Sequence, residues 1–202
     1  MALYRKLMAF VRKMYDWVLH WAETPYGGPA LFALSFAESS FFPIPPDPLL
    51  IALAFGNRSK AFFFFLLCTV ASVLGGILGY YIGFALYETV GLPIIQFYHA
   101  EALFDKLSTM FNENSFIAVV VAALTPIPYK VFTITAGVCK SDLVTFIFAS
   151  ILGRGLRFGI VSGLIYFFGD PIKEFIDKYF EKLAIAFAIL LILGFVLIKY
   201  MF

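Results

Sequence analysis

Five ionisable side chains, Glu38, Asp47, Lys130, Arg154 and Arg157, fall inside stretches of sequence that are otherwise apolar. A charge at the centre of a membrane helix costs at least about 2.5 to 3.5 kcal/mol on insertion scales, so five unpaired charges would exhaust the stability of an ordinary domain. They must therefore face one another or water. Two carboxylates against three cations leave one positive charge over when all are ionised, the sign that receives a phosphate monoanion. Arg154 and Arg157 are three apart and share a helical face, and arginine forks match phosphate oxygens. Glu38 stands beside Ser39 and Ser40 on an apolar segment with no capping position in view, which suits a residue that takes up a proton and then releases a cationic partner. Asp47, directly before Pro48, has a plainer reading as the cap of the helix that follows. The plainer reading of Lys130 and the two arginines is as structural ion partners of the acids.

The elements that must hold these charges are membrane elements. Of 202 residues, 62% are hydrophobic, 19% aromatic and only 14% charged, against about 25% charged in soluble domains. A net charge of +2 points to no nucleic-acid partner. In residues 1–24, Leu3, Leu7, Phe10, Val11, Met14, Val18 and Trp21 recur at helical spacing, with Arg5, Lys6, Arg12, Lys13 and Asp16 mostly off that stripe. This predicts an amphipathic helix on the membrane surface and no cleaved signal peptide. The next apolar stretch carries Pro43, Pro45, Pro46 and Pro48, which no continuous helix survives. Its halves, Pro29 to Phe42 and Pro48 to Phe55, are each shorter than the roughly 20 residues of a span, so the chain is expected to dip in and return. Ala61 to Tyr87 holds no charge and is the first predicted span. A second surface helix is expected over 91–113. A second broken hairpin follows, SFIAVVVAALTPIPYKVFTITAGVCKSD, with breaks at Pro126 and Pro128 around Lys130. Leu143 to Phe168 is the next predicted span, and 171–202 supplies a C-terminal helix that crosses from Leu183 onward.

Pro43-Ile44-Pro45 recurs as Pro126-Ile127-Pro128, Arg58-Ser59 as Lys140-Ser141, and Gly79-x-x-x-Gly83 as Gly159-x-x-x-Gly163, at offsets of 83, 82 and 80 residues. The units are 25–90 and 114–170 of one membrane domain, 1–202. A returning hairpin plus one span moves the chain across once, so the two units are predicted to be inverted, an arrangement associated with transport. The side of the N-terminus collects Arg5, Lys6, Arg12, Lys13, Arg58, Lys60, Lys173, Lys178 and Lys182, against Lys106, Lys140 and Lys199 opposite. The positive-inside bias then puts the N-terminus in the cytoplasm and the C-terminus outside the cell (inner) membrane. The glycines at 75, 76, 79, 83, 159 and 163 are expected to allow close helix packing. Cys68 and Cys139 are read as packing residues, and no metal-ligand spacing exists around them.

Phe36-Ala37-Glu38-Ser39-Ser40 running into FFPIPPDPLL, the small-residue segment GGILGYYIG, then TPIPYKVFTITAG and GRGLRF resemble the DedA family (the VTT, or SNARE-associated, domain) over about residues 25 to 170. The likeness is nearest to the short YqaA-like branch, whose membrane domain is shared with eukaryotic scramblases of the endoplasmic reticulum. The resemblance implies two facing re-entrant hairpins and an acidic pair at Glu38 and Asp47. It also implies flipping of undecaprenyl phosphate or phospholipids, coupled to protons in some members. Many relatives place two arginines around the second break, where this chain has Lys130 alone. Either Arg154 and Arg157 supply the missing charge, or the substrate differs.

The resulting expectation is an all-α integral membrane protein that translocates an anionic lipid through Glu38, Asp47, Lys130, Arg154 and Arg157. Its partners are membrane lipids, with a homo-oligomer left open, and it needs no cofactor beyond protons. The rivals are a proton-coupled carrier of small ions or osmolytes and a non-transporting membrane scaffold. No GxSxG or HExxH pattern favours an enzyme.

Overall fold

The computed structural model describes residues 20–22, 24–97, 99, 101–125 and 127–169. Most of the surface helix expected over 1–24, the C-terminal helix of 171–202 and Pro126 lie outside these residues. Among the described residues all regular structure is helical.

The proline clusters divide the chain as steric rules require. Helix α1, Gly27–Ser40, ends three residues before Pro43, with the Phe41 and Phe42 N–H groups both donating to the Ala37 carbonyl. Helix α2, Asp47–Gly56, starts with Pro48 in its first turn, where a missing N–H does no harm. At about 1.5 Å per residue, the 14 residues of α1 and the 10 of α2 reach roughly 21 and 15 Å, short of a bilayer core of about 30 Å. Helix α3, Ala61–Leu86, and helix α8, Leu143–Phe168, are long and apolar enough to cross a membrane. The second break lies between α6, Ser115–Leu124, and α7, Tyr129–Val138, of ten residues each. The two predicted spans and both proline-broken pairs are therefore present as helices.

The single surface helix expected over 91–113 is not. The α3 helix continues through a π turn, Tyr87–Gly91, into α4, Leu92–Phe97, and a separate α5, Glu101–Glu113, follows. Pro93 accounts for the widened turn. Its ring would strike the carbonyl four residues back in a regular helix, and slipping the ladder by one residue relieves that clash. Helices α5 and α6 then meet at a bend of 71°.

Helices α3 and α8 run antiparallel. Phe62 near the start of α3 packs its ring on Tyr166 near the end of α8 at 5.0 Å. Midway, Ser72 meets Arg154, and Tyr80 meets Phe146 at the start of α8, with ring centroids 5.7 Å apart. Two surface cations repeat the relation: Arg58, just before α3, donates to the Tyr166 carbonyl at 2.9 Å, and Lys140, just before α8, pairs with Glu88 beyond α3 at 2.5 Å. Helix α1 packs on α3 and α6 on α8, each broken pair thus leaning its first half on the long helix that follows it. The second halves cross over, α7 onto α3 and α2 onto both long helices. Three apolar clusters result among the described residues, the smallest of Ala54, Ala61 and Ile165. Leu31, Leu34, Leu49, Leu50 and Phe64 enclose Phe158, and Val119, Ala122, Tyr129, Phe132 and Phe146 enclose Tyr80.

Large side chains point outward. Leu66, Val70, Leu74 and Leu78 on α3, and Phe148, Leu152, Leu156, Ile160 and Leu164 on α8, are exposed at four-residue spacing. Lipid gives helices no hydrophobic reason to associate, so small residues and polar contacts must hold the interior. A side chain at Gly75 would strike the Phe36 carbonyl, one at Gly83 the Ile134 carbonyl, and one at Gly137 the Tyr80 carbonyl. These glycines let α1 and α7 lie backbone to backbone against α3. Gly159 faces only the Phe65 ring, and Gly163 has open space among the described residues, so the packing role expected for Gly163 is not seen there.

Candidate functional site

The ends of the broken helices generate the chemistry. The last turn of a helix leaves carbonyls unpaired at the negative end of its dipole, which attracts cations. Phe42 and Thr125 each precede the first proline of a break, 83 residues apart, and each carbonyl carries a cation. Lys130 Nζ from the second break donates to the Phe42 carbonyl at 2.8 Å, and Arg157 Nη1 donates to the Thr125 carbonyl at 2.7 Å. Thr133 Oγ1 donates to the Ser39 carbonyl at 3.3 Å. The two breaks thus face one another, joined by side chains of α7 and α8.

Both acids are paired. Arg157 holds Asp47 with a two-pronged fork, Nε to Oδ1 and Nη2 to Oδ2, each at 3.1 Å. Asp47 makes no side-chain bond to its own helix, so its carboxylate is given to Arg157 and not to capping α2. Arg154 Nη2 donates to Glu38 Oε2 at 2.8 Å. Its Nε donates to Ser72 Oγ at 2.6 Å, and its guanidinium lies 5.0 Å from the Tyr129 ring centroid and 4.6 Å from that of Phe158. The Tyr129 hydroxyl donates in turn to Ser150 Oγ at 2.6 Å. Lys130 has no carboxylate within ion-pair distance among the described residues.

The two pairs differ in access. The Arg154 and Glu38 side chains are 3% and 12% exposed, whereas Arg157 and Asp47 are 16% and 20% exposed. The second pair is the more open of the two. All five sequence-selected charges are brought together, with three cations against two carboxylates. The sequence reading missed Ser72, Tyr129 and Ser150. A polar residue inside a charge-free predicted span was the available signal for Ser72, and the proximity of Tyr129 to Lys130 was the signal for Tyr129.

The VTT domain profile matches residues 44–167. That segment holds Asp47, Lys130, Arg154 and Arg157 and begins after Glu38. An uncharacterized protein of Haemophilus influenzae is 33% identical over 186 residues, spanning 92% of this chain and 96% of its own. One of Histophilus somni is 31% identical over 186 residues, 92% of this chain and 97% of its own. A third, from Methanocaldococcus jannaschii, is 27% identical over 137 residues, 67% of this chain and 82% of its own. No solved structure matches the chain.

Proposed function

Since the chain belongs to the VTT domain family, also known as the DedA family, we propose that this membrane protein translocates a lipid with an anionic phosphate headgroup, such as undecaprenyl phosphate or a phospholipid. The observation that carries the reading is the pair of facing breaks, where Lys130 and Arg157 each occupy the carbonyl end of a broken helix. Both cations are held by groups a phosphate can displace. A phosphate oxygen competes with a neutral carbonyl for Lys130, and a headgroup at the opening meets the Asp47–Arg157 fork before the deeper Glu38–Arg154 pair.

In this reading each broken pair is a re-entrant hairpin, and the two units are inverted repeats. The antiparallel register of α3 and α8 supports that arrangement, as does the crossover of α7 and α2. Acyl chains stay in lipid beside the exposed apolar faces while the headgroup passes between the breaks. Asp47 then recaptures Arg157 and the phosphate leaves. Protonation of Asp47 would free Arg157, which is where proton coupling enters. The orientation is the one the loop charges favour, N-terminus in the cytoplasm of a cell membrane and C-terminus outside.

The test is reconstitution into phosphatidylcholine vesicles doped with fluorescent phosphatidylglycerol or with undecaprenyl phosphate. Wild-type protein should accelerate exchange between leaflets, and Arg157→Ala with Lys130→Ala should abolish it. Equal rates for wild type and this double variant would remove the reading. A pH-gradient-dependent flux of small ions without lipid movement would replace it with a carrier.

A further inference from the structure

The buried ion pair closes into a ring. Arg154 Nη2 donates to Glu38 Oε2 at 2.8 Å, and Arg154 Nε donates to Ser72 Oγ at 2.6 Å. Ser72 Oγ lies 2.7 Å from Ser39 Oγ, and Ser39 Oγ donates to Glu38 Oε2 at 3.4 Å. One consistent set of donor directions runs around the whole circuit: guanidinium to Ser72, Ser72 to Ser39, and Ser39, whose proton goes to Glu38, back to the carboxylate. Ser39 and Ser72 are fully buried and Arg154 is 3% exposed. The ring joins α1, α3 and α8, while the Tyr129 and Phe158 rings lie against the guanidinium.

Its location is particular. Ser72 and Arg154 are 82 residues apart, the offset that relates Arg58 to Lys140. They occupy equivalent places in the two units and touch one another, so they sit at the junction between the halves. Arg157, one helical turn further along α8, has no such hydroxyl. Its partners are a carboxylate one-fifth exposed and a carbonyl.

We propose that Ser72 is a positioning residue whose hydroxyl pins the Arg154 guanidinium to Glu38, making that pair a fixed strut between the repeats and leaving Arg157 as the arginine that changes partner. The inference rests on the translocation reading for its functional half, and on geometry alone for the strut. Ser72 touches no substrate. Its effect is to keep one of two neighbouring forks out of the headgroup site. A site with both forks free would hold phosphate more tightly and release it more slowly.

The full chain in bilayers, labelled with ¹⁵N at arginine, tests this without a lipid substrate. In the wild type the Arg154 Nε–H should exchange with solvent about ten-fold or more slowly than that of Arg157, the difference a hydrogen bond within a charged, water-excluded network sustains. Ser72→Ala should bring the two to similar rates. The control is Ser35→Ala, which removes an equally buried hydroxyl from the same α1–α3 seam, where it donates to the Cys68 carbonyl at 2.8 Å. It should lower stability and leave the exchange pattern intact. In the vesicle assay with fluorescent phosphatidylglycerol, Ser72→Ala should lower KM and kcat together, each several-fold, whereas Ser35→Ala should change neither. Equal exchange at the two arginines of the wild type would overturn the proposal even if Ser72→Ala failed to fold. So would a Ser72→Ala protein that keeps Arg154 protected, or that exposes it with KM and kcat unchanged. Absence of lipid movement by the wild type would instead overturn the translocation reading, and the exchange pattern would still decide the strut.

Discussion

Replacing Glu38 by Gln keeps the shape of the side chain and removes its charge, leaving Arg154 as a guanidinium 3% exposed with no counter-ion. Stranding one member of a buried pair costs about 3 to 5 kcal/mol, and at about 1.36 kcal/mol per decade this shifts an unfolding equilibrium at least about a hundred-fold. Asp47→Asn removes the other acid, whose side chain is 20% exposed and whose partner is 16% exposed. Water can solvate part of what is lost there, so the penalty should lie near or below about 1.5 kcal/mol, the lower end for hydrogen bonds to charged groups. Equilibrium unfolding in mixed detergent micelles, followed by circular dichroism, measures both. Removing both charges in Glu38→Gln, Arg154→Gln should recover most of the loss, because a neutral pair strands no ion. An Asp47→Asn protein as unstable as Glu38→Gln, or a double variant less stable than either single one, would refute this ranking of the two pairs.

Gly83→Val should prevent folding or lower stability by several kcal/mol, since its Cβ meets the Ile134 carbonyl, while Gly163→Ala should be tolerated; unfolding in the same micelles compares them. Asp142 caps α8 by accepting the Thr145 N–H at 2.6 Å, and those bonds hold its carboxyl below the ordinary value of 3.8. The folded value is depressed, so the contribution is present above 3.8 and lost as pH falls through the lower folded value. Amide exchange in the first turn of α8 should rise in that acid window and not near neutrality. Lys140 adopts a left-handed backbone at φ 50 and clasps Glu88. Lys140→Ala loses the clasp and keeps the unfavourable backbone, whereas Lys140→Gly loses the clasp and relieves it, so thermal unfolding should rank the glycine variant above the alanine variant. Cys68, fully buried on α3, should resist maleimide in folded protein and react after denaturation.

The positions of the broken helices and the second long helix were legible because proline and hydrophobic run length act locally. Leu143–Phe168 was bounded to the residue, and α1 and α2 to within two residues. The five charges were legible because membrane burial leaves few ways to keep an ion. Which acid meets which arginine was not, since that depends on how α8 lies across both breaks. The capping reading of Asp47 missed by one residue, since Pro46 holds the cap position and a fork from another element takes the Asp47 carboxylate. The π turn at Tyr87–Gly91 was not legible, because the clash of the Pro93 ring with the preceding turn is met by widening the ladder instead of ending the helix.

The glycine contacts of α3 have a mechanical side. Gly75 seats α1 and Gly83 with Gly137 seats α7, so one segment from each unit is keyed to a single shaft with no cushion of side chains to roll upon. Those three move as a block or not at all. Helix α8 is keyed at Gly153, against Ala123 and the Val120 carbonyl, but has slack at Gly159 and Gly163. Arg154 stands directly beside the keyed Gly153 and Arg157 lies further toward the slack, which places the stiffness beside the buried pair and the freedom to shift beside the more open one.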